Sequence, residues 1–251
     1  MSYQEVAYEV MSRMLTDFTE EELKHCINSA YDKKFDTPEI APLVKKAGAH
    51  YLELFHGSTI AFKDMALQIL PHLMRVSVGK TNPDEQIVIL VATSGDTGKA
   101  ALEGYRDVDG VKITVFYPVD GVSPMQKRQM TTQRGENVNV CSVYGNFDDA
   151  QSGVKTIFAD EALAQRAEEN GFFFSSANSI NWGRLAPQIV YYVSAYCDLL
   201  AGGKIKMGDP MDVCVPTGNF GNIFAAYLAK QMGLPIDKMV CASNSNNVLT
   251  D

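Results

Sequence analysis

Apolar residues recur at helical spacing near the start of the chain, at Val6, Val10 and Met14 and again at Leu23, Ile27 and Ala30. This spacing predicts two helices packed as a hairpin, the second opening at Thr19-Glu20-Glu21-Glu22. After Pro38 and Pro42 comes a short apolar and aromatic stretch at 51–55, then His56-Gly57-Ser58-Thr59 and a helix-compatible segment from Phe62 towards Val78. Beyond Lys80 the pattern changes to β-type runs alternating with helical ones. Strands are predicted at 87–91, 112–117, 137–143, 172–175, 212–215 and 239–242, and helices at 98–105, 124–133, 147–169, 183–200 and 221–232. Such alternation implies right-handed βαβ crossovers and a mostly parallel sheet. There is no internal repeat and no low-complexity tract; residues 201–210, rich in Gly, are the nearest thing to a linker and read equally well as a surface loop.

Composition narrows the function classes. The 251 residues carry 22 Lys+Arg against 30 Asp+Glu, a formal net charge of −8. That balance offers no broad basic footprint for nucleic acid or an anionic membrane, although local anion sites stay open. The 46% hydrophobic and 21% charged content is ordinary for a globular protein. The longest uninterrupted apolar run, 87–92, falls far short of the roughly 20 residues a membrane helix needs. The first five residues lack the basic and apolar segments of a signal peptide. Cys26, Cys141, Cys197, Cys214 and Cys241 form an odd, scattered set without a CxxC pair, against a disulfide framework or zinc ribbon. The expectation is a cytoplasmic protein with reduced thiols.

Three features carry candidate chemistry. Thr93-Ser94-Gly95-Asp96-Thr97-Gly98 joins a predicted strand to a predicted helix, where free N–H groups and a partial positive charge suit an anion. It departs from a Walker loop, and reads equally as a plain turn capped by Asp96 or Thr97. Pro216-Thr217-Gly218-Asn219-Phe220-Gly221-Asn222 repeats the arrangement without the dinucleotide GxGxxG spacing; alone it is a weak signal for a phosphate cradle. Lys63 lies among largely apolar neighbours at a predicted helix start, and desolvation and the helix end both disfavour its ammonium. A lysine that is neutral part of the time attacks an aldehyde to form a Schiff base, although most lysines simply extend into water. The four His show no metal-binding spacing, no Gly-x-Ser-x-Gly elbow is present, and Trp182 and Tyr191-Tyr192 are read as core.

Four ordered motifs, at 54–64, 92–98, 175–184 and 216–222, closely resemble the threonine synthase family, of the long form found in bacteria and fungi. One departure is Ser58, where the family more often has Pro. The resemblance implies an α/β fold of the fold-type II, pyridoxal-phosphate-dependent architecture of the tryptophan synthase β-subunit, with mostly parallel sheets and flanking helices. It implies a large domain begun by 1–80 and continued by 179–251, with a smaller α/β domain at 81–178 between them.

Under that resemblance Lys63 is the Schiff-base lysine for pyridoxal 5'-phosphate, and Gly218, Asn219, Phe220, Gly221 and Asn222 hold the cofactor phosphate. Phe62 lies beside the ring and Asp96 near the pyridine hydroxyl. Ser94, Gly95 and Thr97 receive the substrate carboxylate, and Asn178, Ser179 and Arg184 its phosphate. The implied reaction converts O-phospho-L-homoserine and water to L-threonine and phosphate, with monomer and homodimer both open. The family has a segment before the first helix and a long C-terminal region bearing the hydroxyl that faces the pyridine nitrogen, so the chain is read as a fragment. The competing expectations are a sibling fold-type II lyase or dehydratase on a related amino acid, and an inactive ligand-binding piece.

Overall fold

Reciprocal capping boxes open the first two helices, α1 (Tyr3–Met11) at Ser2/Glu5 and α2 (Glu20–Ala30) at Thr19/Glu22. In the computed structural model, which describes residues 1–81, 84–179 and 181–245, these helices lead into an antiparallel hairpin, β1 (Leu43–Lys46) and β2 (Ala49–Leu52). Ile180 of the 175–184 motif and the terminal stretch 246–251 lie outside the described residues.

The predicted helix from Phe62 to Val78 divides into a four-residue turn, α3 (Asp64–Leu67), and α4 (Leu70–Thr81). Pro71 explains the break, because it lacks an N–H and its ring collides with the carbonyl four residues earlier. The segment is apolar on two sides. Met65, Ile69 and Leu73 join one hydrophobic cluster, and Leu67, Leu70 and Val78 another. It therefore lies between two packed bodies and is buried by both.

The alternating region forms as predicted, in the order β3 (Gln86–Ala92), α5 (Asp96–Tyr105), β4 (Val111–Pro118), α6 (Pro124–Thr131), β5 (Val138–Val143), α7 (Phe147–Ala159), α8 (Glu161–Glu168) and β6 (Phe172–Ser175). The predicted helix 147–169 is two helices, because Asp160 turns the chain and caps α8 by accepting from Leu163 N–H at 2.9 Å. The four strands are parallel in the order β5-β4-β3-β6. Ile87, Ile89 and Val91 face α5 and α6, whereas Leu90 and Ala92 face α7. Cover on both faces accounts for the unbroken apolar run of β3.

The chain closes with α9 (Trp182–Ala201), β7 (Met211–Val215), α10 (Phe220–Gln231) and β8 (Ile236–Cys241), the two strands parallel. Buried residues of α9, α10 and both strands share a cluster with α1, α2 and the segment around Met65, so the two ends of the chain build one core. Tyr191 and Tyr192 are in it as predicted. Trp182 is not: at the first position of α9 it is 46% exposed. Among the described residues no helix is long and apolar enough to cross a membrane.

Candidate active site

Three loops leave the carboxyl ends of parallel strands and meet. The first follows β3. Thr93 Oγ1 accepts from the N–H groups of Gly95 and Gly98, each at 2.9 Å, and Gly95 takes φ 143°, a value that L side chains avoid, so the loop doubles back into α5. The second follows β6, where Asn178 Nδ2 donates to Ala92 O at 3.4 Å and ties this loop to the end of β3. The third follows β7, with Gly218 at φ 69° before α10. β3 and β6 are sheet neighbours far apart in sequence, and ligands of open α/β sheets bind where the strand order reverses in this way.

Of the helices that follow these loops, α9 is capped by its N-cap side chain like most helices elsewhere, whereas α5 and α10 are not. α1, α2, α6, α7, α8 and α9 are each closed by a side chain that accepts a first-turn N–H. The N-cap residues of α5 and α10, Gly95 and Asn219, make no such bond, and at α5 it is Thr93 that takes the Gly98 N–H instead. First-turn N–H groups have no acceptor within a helix, so the remaining first-turn donors of α5 and those of α10 present partial positive charge to the same region. Asn219 instead spends its amide oxygen on Lys63 Nζ, 3.3 Å away.

Lys63 arrives at the head of α3, buried. Its ammonium stands 4.6 Å from the centre of the Phe62 ring and 3.9 Å from Asp96 Oδ2. Burial is the main reason its basicity falls below the ordinary lysine value; Asp96 opposes the shift, and the positive charges of Arg184 and Lys99 add to it. The sequence argument attributed part of this to a helix end, but α3 has only four residues and the structure supplies two cations in its place. Asp96 is the counterweight. Burial works against its charge, yet Gln126, Lys63 and Lys99 outweigh that and hold its carboxyl below the usual range.

Arg184 is 2% exposed in the first turn of α9. One terminal nitrogen donates to Ala177 O at 2.6 Å, and Nε has no partner. Among the described residues no carboxylate pairs with it, and burial lowers its pKa to about 10. A buried cation without a counter-ion favours an anion nearby.

The other predicted residues assemble with unequal roles. Ser94 is exposed and Thr97 half-buried at the first loop, and Gly218, Asn219 and Phe220 are exposed at the third. A Cβ at Gly221 would stand 3.7 Å from Gln188 Nε2 and 4.0 Å from Ser179 Cβ, so the third loop faces the second with bare backbone. Asn222 turns its side chain inward, where its Oδ1 accepts from the hydroxyls of Tyr191 and Tyr192 at 2.6 Å each. Lys99 and Gln126, which sequence reasoning passed over, both hold Asp96, and Gln188 and Thr59 line the same region. Lys99 had a signal, as a lysine directly after the Gly turn; Gln126 had none beyond its place in a capping box.

A buried amine of lowered basicity, an aromatic ring beside it, two helix starts reached through Gly turns and a side-chain-free backbone fit a planar ligand with an aldehyde and a phosphate. Residues 41–250 match the family described as pyridoxal-phosphate dependent enzyme. The chain belongs to that family. The cofactor expected from the sequence is thus the one the pyridoxal-phosphate-dependent enzymes are named for, and the threonine synthase resemblance has counterparts among curated proteins. Over 236 residues the chain is 48% identical to threonine synthase-like 1 of Pongo abelii, covering 91% of this chain and 31% of that protein. It is 41% identical to threonine synthase of Pseudomonas aeruginosa, covering 99% of this chain and 51% of the relative. The crystal structure of pyridoxal-phosphate-bound threonine synthase from Brucella melitensis superposes with a TM-score of 0.87 at 40% identity, covering 99% of this chain and 51% of that one. The fold is accordingly that of fold-type II pyridoxal-phosphate enzymes, and the chain spans between about a third and about half the length of these relatives.

Proposed function

We propose that the protein containing this chain is a threonine synthase, a lyase that converts O-phospho-L-homoserine and water to L-threonine and phosphate. The observation that carries this reading is the seat of Lys63, whose Nζ lies 3.9 Å from Asp96 of one Gly turn and 3.3 Å from Asn219 of the other. Pyridoxal phosphate, when bound, supplies an electron sink for negative charge at the substrate's α-carbon.

The residues of the chain supply the rest. Lys63 is the attachment point, and its amine removes and returns protons at the substrate's Cα and Cβ, for which lowered basicity suits it. Phe62 covers the side of that amine. The N–H groups at Gly218 to Gly221 hold the cofactor phosphate at the start of α10, with Asn222 bracing the loop from inside. Ser94, Gly95 and Thr97 receive the substrate carboxylate at the start of α5. Asn178 and Ser179 receive the leaving phosphate, with Arg184 adding positive charge from beneath. The same reading divides the chain into one body from 1–80 with 179–251 and a smaller one from 81–178, supported by the hydrophobic cluster that joins residues near the two ends, while the cluster on one face of the four-stranded sheet reaches the first body through Leu67, Leu70 and Val78.

The test is addition of pyridoxal phosphate, detection of a visible absorption band, borohydride reduction and peptide mapping. The label belongs on Lys63, and a label on another lysine overturns the reading. The 48% identity to threonine synthase-like 1 favours a second reading, a sibling lyase or dehydratase on a related amino acid. Products formed from phosphohomoserine, against those from threonine or serine, separate the two.

A further inference from the structure

We infer that Lys99 is a positioning residue of this site: its ammonium fastens the Lys63 loop to the first Gly turn and fixes the direction in which Asp96 points. The inference rests on the reading of Lys63 as the cofactor's attachment point and adds a residue to it. Lys99 is only 9% exposed, unlike a lysine reaching into water. Its Nζ donates to Thr59 O at 3.0 Å and pairs with Asp96 Oδ1 at 3.3 Å, so one buried cation holds both loops.

Each end of that tie has a reason to need it. The N–H and Oγ1 of Thr59 each donate at 2.7 Å to Asp64, so with Lys99 on its carbonyl Thr59 is held at three points. The next residue, Ile60, has φ 57° while 73% exposed, a left-handed conformation that costs a β-branched residue energy and persists only where neighbours impose it. Ile60 stands three residues before Lys63, so loosening Thr59 lets the strained loop relax and carries the lysine with it. At the other end, Asp96 Oδ1 takes both Lys99 and Gln126 Nε2, the latter at 2.8 Å, which leaves Oδ2 facing Lys63. A carboxylate pinned through one oxygen by two donors cannot rotate without breaking both.

The charged groups facing Lys63 are Asp96 and Lys99 from α5 and Arg184 from α9, with neutral Asn219 from the third loop. Lys99 shares the negative charge of Asp96 and adds a positive charge of its own. Both effects let Lys63 lose its proton at lower pH than it otherwise would.

The experiment is competitive acetylation of the chain without added cofactor across about pH 7 to 11, reading the Lys63 peptide by mass spectrometry, with circular dichroism as the control for folding. Lys99→Met shifts the Lys63 reactivity profile to higher pH, so that labelling near neutral pH is several-fold slower. Lys99→Arg, which keeps the charge, leaves the profile near wild type. Asp96→Asn shifts it to lower pH and keeps the test alive should Lys99→Met not fold. An unchanged profile in Lys99→Met, a shift in Lys99→Arg as large as in Lys99→Met, or no response in Asp96→Asn overturns the inference. Because no cofactor is present, borohydride labelling of a different lysine defeats the functional reading and leaves this result standing, and the reverse outcome is equally distinct.

Discussion

At the scale of single residues, the site combines groups the sequence exposes with groups it hides. Lys63 and the two Gly turns were legible because each is a local pattern: a lysine among apolar neighbours, and a strand, a Gly turn and a helix in succession. The orientation of Asn222 was not legible. It falls inside a motif read as a phosphate loop, yet its side chain binds the buried hydroxyls of Tyr191 and Tyr192, about 30 residues earlier in the chain. Its contribution is therefore to stability as much as to ligand. Asn222→Ala removes the shorter of two acceptors from each buried hydroxyl, leaving Tyr191 with Gln188 Oε1 and Tyr192 with the backbone oxygen of residue 222, each at 3.2 Å. The expected loss is about 0.5–1.5 kcal/mol, read from urea unfolding. A change below the error of the fit would show that the pair of bonds contributes nothing net.

At the scale of elements, close packing sets where Lys63 stands. α5 crosses the segment bearing Lys63 at Gly104, where a Cβ would lie 2.1 Å from Leu67 O. Only glycine permits that approach, and the contact is backbone, so it has no flexible side chain to yield. Gly104→Ala must push α5 away from α3, with an expected cost of about 1–3 kcal/mol by thermal or urea unfolding, and with weaker pyridoxal-phosphate binding because Asp96 and Lys99 travel with α5. Wild-type stability and binding together in that variant would refute the argument. The sequence marked Gly104 as an ordinary helical position, since a close approach between helices leaves no trace in periodicity. The breaks at Pro71 and Asp160 are of the opposite kind. The residues that cause them stand in plain view, and the helical spacing runs on through both.

At the scale of the whole molecule, two histidines set opposing limbs of the stability profile. His56 lies between Asp36 and Glu53, with Nδ1 2.5 Å from one and Nε2 3.1 Å from the other. Burial works against its charge, but the two carboxylates outweigh it and raise its pKa. A raised value means stability that is full below the unfolded pKa of about 6.5 and is lost as pH rises through the folded one. His72 is pushed the other way, to about 4, by burial first and by Lys34 and His25 next. Its contribution is present above about pH 6.5 and declines as pH falls towards the folded value. Thermal melts across pH check both: His72→Gln flattens the acid limb and His56→Gln the limb above about pH 6.5, and parallel curves for variant and wild type would contradict the assignment. By itself, the sequence determined the succession of elements, the parallel sheet, a lysine set among apolar neighbours and two Gly turns between strand and helix, because hydrophobic period and Gly placement act over a few neighbouring residues. Only the tertiary structure decided that the first helices and the last described helix and strands share one core, that Asn222 faces inward, that Arg184 lies buried with no carboxylate among the described residues within reach, and that Lys99 joins two loops. Those outcomes depend on which distant residues come within bonding distance, and a linear pattern does not record them.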